Sequence, residues 1–127
     1  MAPAPALTVT TIKKRAEFLR LNRARKSVTP YFILRSAAME QPHPTGCRVG
    51  YTVTTKCGNA VQRNRIKRRL RALVRTVFPQ HAHAGMDYVF IALAQAQPSL
   101  ADAPFTEIEA AMLRALAHAH APLRTPA

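Results

Sequence analysis

Between Thr11 and about Asn22, apolar side chains recur at Ile12, Ala16 and Leu19, with Phe18 beside them, while Lys13, Lys14 and Arg20 take the other side. Spacings of three and four residues place the first set on one face, which predicts a short amphipathic helix over residues 11–22. "YFILRSAAM", Tyr31 to Met39, has the aromatic and β-branched content of a strand, and Lys26 to Thr29 is a candidate for a further short one. After the turn "EQPHPTG", the stretch "RVGYTVTTK" (Arg48 to Lys56) alternates strictly. Val49, Tyr51 and Val53 point to one face, predicted to be core, and Gly50, Thr52, Thr54 and Lys56 to the other, predicted to be polar and open. Gly58 and Asn59 close this strand. Asn59 as N-cap with Gln62 three residues on predicts a helix start, and Pro79 its end. "YVFIALA", Tyr88 to Ala94, reads as a buried strand. From about Pro104, Phe105, Ile108, Met112 and Leu116 share a helical face, with Thr106 and Glu109 placed for a capping box. The order is helix, strand, strand, helix, strand, helix, and no segment repeats.

Charge changes this picture of an ordinary small domain. The 127 residues suit a single domain, expected over residues 7–120 between loose Pro/Ala-rich ends at 1–6 and 121–127. Residues 1–78 hold 17 of the 19 Lys and Arg but only two acids, Glu17 and Glu40. So lopsided a chain implies a polyanionic partner, a nucleic acid or an anionic membrane. No apolar run reaches the ~20 residues of a membrane span, and no signal-peptide core is present, so a cytoplasmic protein is expected. An Arg-rich, acid-poor N-terminus can imitate an organellar transit peptide, but "IKKRAEFLRL" reads as the first helix of the fold. Cys47 and Cys57 bracket one expected strand, which keeps them too far apart for a disulfide.

The charge is densest in "GNAVQRNRIKRRLRALVR", Gly58 to Arg75. On a helical wheel Ile66, Leu70, Leu73, Val74 and Val77 form a seam that packs on a sheet, and Asn64, Arg68, Arg71 and Arg75 face away from it. Arg65 and Arg69 lie on one flank and Lys67 on the other. Like charges three or four residues apart each cost about 0.2–0.5 kcal/mol, and Arg63 and Arg65 near the N-terminus oppose the helix dipole. Folding gives no reason for this face; phosphates bound to it would. The rival readings are a solvated basic face, which normally mixes both signs, and a membrane-surface helix, which lacks bulky aromatics here. The polar face of the Arg48–Lys56 strand leads straight into this helix. A shallow cleft there, with Phe18 or Tyr31 near it to stack bases, suits an extended single strand.

"RVGYTVTTKCGNAVQRNRIKRRLRALVR", with "RNR" at Arg63, Asn64 and Arg65, resembles the signature of the bacterial ribonuclease P protein subunit, and the likeness extends over about residues 7–120. The resemblance implies an α+β fold, an α/β sandwich of order α-β-β-(β)-α-β-α. Its small, mostly antiparallel sheet would carry a left-handed parallel crossover through the basic helix, an exception to the usual hand. It also implies that the catalyst is a large RNA partner using Mg²⁺, which removes the 5′ leader of precursor tRNA, while the protein binds. Carried over, Arg63, Asn64, Arg65, Lys67, Arg68, Arg69 and Arg71 would contact the catalytic RNA, and Phe18, Tyr31, Ile33, Thr52, Thr54 and Lys56 would line a leader cleft. Asn22, where an aromatic is expected, and Thr55 and Cys57, in place of the usual Lys and Val or Ile, depart from the pattern and imply weaker stacking.

No catalytic residues and no protein-bound metal or cofactor are expected of the chain itself. Asp87, Asp102, Glu107 and Glu109 lie outside the basic half, so no carboxylate pair for acid–base work stands out. The five histidines lack neighbouring Cys or clustered acids and are expected in loops or on the surface. Membrane and protein partners are not indicated. The alternative reading is a non-catalytic basic module that binds RNA or DNA, such as a ribosomal protein.

Overall fold

The computed structural model describes residues 7–120, so the expected loose ends lie outside the described residues. The chain runs β1 (Thr8–Thr11), α1 (Arg15–Arg20), a 3-10 turn (Leu21–Arg23), β2 (Arg25–Val28), β3 (Phe32–Ala38), β4 (Gly46–Thr52), a second 3-10 turn (Thr55–Cys57), α2 (Ala60–His81), β5 (Met86–Ala92) and α3 (Phe105–His120).

The first helix, expected over residues 11–22, is shorter: a strand, β1, ends at Thr11 and the helix spans Arg15–Arg20. "TVTT" is β-branched throughout and extends, and the Ile12 N–H still donates to the Val49 carbonyl at 2.9 Å. Helix geometry begins only after Lys14. Downstream, β4 stops at Thr52 because a 3-10 turn follows, so the two cysteines do not bracket one strand; both are free thiols. Pro79 does not end α2, which runs two residues further to His81 and closes with the Ala82 N–H on the Phe78 carbonyl. The expected cap at the other end is present: Asn59 and Gln62 exchange backbone-to-side-chain hydrogen bonds at 2.9 and 3.0 Å. Thr106 lies inside the first turn of α3 and so is no N-cap, and Phe105, placed by its spacing on one face with Ile108, Met112 and Leu116, is 45% exposed while those three are buried.

The sheet order is β1-β4-β5-β3-β2. Two pairs, β1/β4 and β4/β5, are parallel, and two, β2/β3 and β3/β5, antiparallel. It is evenly mixed where a mostly antiparallel sheet was expected, since the unforeseen β1 adds a parallel pair. The crossover that joins parallel neighbours β4 and β5 is α2.

Alternation divides the sheet into two faces. Phe32, Leu34, Val49, Tyr88 and Phe90 meet the seam of α2 (Ile66, Leu70, Leu73, Val74, Val77) and the buried face of α3 in the main core. On the other face a smaller cluster of Ile12, Leu21 and Val89, with Phe18 and Ile91 packed on it, holds α1. Gly50 permits this approach, because a Cβ there would stand 2.6 Å from the Phe18 ring. The histidines are not all loop or surface groups. His120, in the last turn of α3, stacks on His83 at 3.6 Å and hydrogen-bonds the Tyr88 hydroxyl at 2.6 Å, because a helix end packed on the sheet half-buries it.

Candidate RNA interface

Strand register assembles the α1 side of the sheet into rows. Val28, Ile33, Ile91 and Thr52 lie side by side, and Lys26, Arg35, Val89 and Gly50 form the next row. Val28 is 64% exposed and Ile33, Ile91, Thr52 and Phe18 are half-buried, so this is a shallow apolar strip walled by α1. Lys26 and Arg35 put cations into it, with Arg35 anchored through its 2.9 Å hydrogen bond to the Ala24 carbonyl. Such a strip offers stacking surface and phosphate partners at once.

Of the expected cleft residues, Phe18, Ile33 and Thr52 come together here. Thr54 and Lys56 are exposed in the link from β4 to α2, at the end where the strip opens. Tyr31 does not join them. It precedes β3 on the opposite face, is 8% exposed in the main core, and donates its hydroxyl to Glu107 at 2.7 Å. Val28, Lys26, Arg35 and Ile91 were missed, although period-two alternation in β3 and β5, followed through their register, places all four.

Helix α2 begins beside that open end. Asn64, Arg65, Arg68, Arg71 and Arg75 are exposed, Arg63 and Lys67 partly so, and the first turn holds no acid. Arg69 does not share this surface. Its guanidinium donates to the Leu100 and Ala103 carbonyls and lies 4.5 Å from the Phe105 ring centre, tying α2 to the loop before α3. Burial and the neighbouring Arg65 hold its pKa below the usual arginine range.

Asp87 and Glu17 are committed to structure. Fully buried Asp87 accepts two hydrogen bonds from Arg48, both 2.7 Å, and another from Arg20. Arg48 also reaches Glu17 at 2.6 Å, and Arg20 the Ala38 carbonyl at 3.2 Å. The network clamps α1 to β3, β4 and β5 at the far end of the strip. Hydrogen bonds to Asp87 raise the Arg48 pKa further. Carboxylates spent on guanidinium groups make poor Mg²⁺ ligands, and among the described residues no three His, Cys, Asp or Glu group to hold a metal. No helix among them is long and apolar enough to cross a membrane.

A mixed sheet with a basic, half-apolar strip on one face and a cationic helix starting at its mouth defines an α+β nucleic-acid-binding domain. Residues 8–120 match the Ribonuclease P family model, and the chain belongs to that family, with a role in ribonuclease P and so in tRNA processing. It is similar to the ribonuclease P protein component of Bartonella quintana, 46% identical over 99 residues (75% of this chain, 71% of the relative). That of Ruegeria pomeroyi is 38% identical over 115 residues (90% and 89%). Among solved structures, the Staphylococcus aureus RNase P protein superposes with TM-score 0.70 at 28% identity, covering 87% of this chain and 94% of that one. The Thermotoga maritima RNase P protein shares the fold, with TM-score 0.71 at 22% identity over 84% and 94%.

Proposed function

We propose that this chain is the binding subunit of a ribonucleoprotein in which RNA performs the hydrolysis. The exposed face of α2 (Arg63, Asn64, Arg65, Lys67, Arg68, Arg71) lies on the catalytic RNA, and the strip of Phe18, Ile33, Ile91 and Thr52 holds the 5′ leader of precursor tRNA. The supporting observation is the meeting of the two surfaces at one end of the sheet, through Thr54 and Lys56, so that a single strand leaving the strip passes directly to the RNA on α2. Mg²⁺ would supply the charge stabilisation for phosphodiester cleavage and would be held by the RNA. The chain's own work is to neutralise phosphates and to fix the leader, which lowers the metal concentration the RNA needs.

The test pairs full-length protein with cognate RNA and compares precursor tRNA with and without a leader. Protein is expected to permit cleavage at lower Mg²⁺ and to favour the leader-bearing substrate. Equal affinity for both substrates, or an unchanged Mg²⁺ requirement, would return the chain to a general basic binding module.

A further inference from the structure

On the sheet face away from α1, a groove of about 520 Å³ runs between β1 and the C-terminal half of α2, lined chiefly by Leu7, Val9, Tyr51, Arg71, Val74 and Arg75. Leu7, Val9 and Val74 make an apolar floor. The Tyr51 ring is fixed by a parallel stack on Phe90 at 6.0 Å, with the Arg71 guanidinium 5.6 Å from its centre. Among the described residues, the Tyr51 hydroxyl and the Arg71 and Arg75 guanidinium groups have no hydrogen-bond or ion-pair partner. The outer edge of β1 is unpaired as well, because β1 ends the sheet.

An apolar floor with an aromatic edge, two unspent bidentate donors and a free strand edge matches one nucleotide: base on the floor, phosphate on the arginines. The volume suits a single base and excludes a duplex. The groove continues the Arg68 face of α2, whereas the leader strip lies across the sheet. We propose that it receives one unpaired nucleotide of the catalytic RNA; this rests on the assignment of α2 to that RNA.

The experiment maps 2′-hydroxyl acylation of the RNA and of precursor tRNA in complexes with full-length wild-type, Arg75→Ala, Tyr51→Phe and Arg68→Ala proteins. Arg75 is exposed and Tyr51→Phe keeps the Phe90 stack, so both variants retain the fold. The wild-type protein is expected to quiet a few unpaired nucleotides of the RNA. Arg75→Ala and Tyr51→Phe should restore reactivity at the same one, and Arg68→Ala elsewhere. Making that nucleotide abasic should weaken binding about tenfold and leave Tyr51→Phe nearly without further effect. The inference fails if both groove variants keep the wild-type footprint while the protein still activates the RNA, or if the restored nucleotide is paired or belongs to precursor tRNA. A wild-type protein that neither binds nor activates the RNA overturns the parent reading along with this one.

Discussion

A carboxylate without solvent must be paired and hydrogen-bonded, and Asp87 meets both conditions only through Arg48 and Arg20. Asp87→Asn leaves two guanidinium groups short of charge, with Glu17 on Arg48 and the exposed Glu40 on Arg20 as partial substitutes. Breaking such a pair costs about 3–5 kcal/mol, which a denaturant titration would measure. Because the lost contacts hold α1, the preference for leader-bearing over leaderless substrate should shrink while affinity for the catalytic RNA stays. Full preference in a destabilised variant would confine Asp87 to folding. His120 gives a second single-residue signature. Burial first, then the facing His83 and the charge of Arg25, push it down to about 4. An unfolded histidine titrates near 6.5, so between these values the unfolded chain binds a proton that the folded one refuses. Stability from this site is whole above pH 6.5 and lost as pH falls toward 4. Melting temperatures at pH 7 and 5 should differ for wild type and converge for His120→Gln.

At the scale of elements, α2 was legible because every local signal agreed: the Asn59–Gln62 box, the apolar seam, and the opposed cationic face. The same agreement was missing at residues 11–22. There, spacing of three and four suggested one helix, but the β-branched "TVTT" ahead of it pairs with β4 and carries the chain extended through Thr11, Ile12 turns into the small core, and helix geometry starts only at Arg15. The strip was half legible. Alternation showed which β4 residues leave the core, but not that Tyr31 precedes β3 on the core side or that Lys26 and Arg35 stand in register with Gly50, since pairing is not written in any one strand. Folding and binding pull apart at the start of α2, and Asn59→Asp separates them. Asp caps as well as Asn and adds charge favourable to the dipole, about 0.3–1 kcal/mol, so the melting temperature should hold or rise. The same negative charge at the mouth of the strip should weaken RNA binding, as titration with the RNA would show. A rise in both would mean that phosphates do not approach this helix end.

Across the whole molecule, a net charge of +13 does not say how many cations meet phosphate. The structure sorts them. Arg20, Arg48 and Arg69 are held by internal carboxylates or carbonyls, whereas six on α2 (Arg63, Arg65, Lys67, Arg68, Arg71, Arg75) are free to neutralise a backbone. Six neutralised phosphates imply a roughly 10³-fold loss of RNA affinity between 50 and 200 mM salt; a flat response would defeat the electrostatic account. Two neighbouring arginines then test the sorting itself. Arg68→Ala should lower the slope of log affinity against log salt by about one and leave stability unchanged, because its side chain is exposed and relief from like charges offsets the little it contributes. Arg69→Ala should leave the slope alone and lower stability by about 1.5–3 kcal/mol, the worth of a hydrogen bond from a charged group, since two carbonyls before α3 lose their donor. Equal effects of the two substitutions on the salt slope would show that the loop before α3 yields Arg69 to RNA.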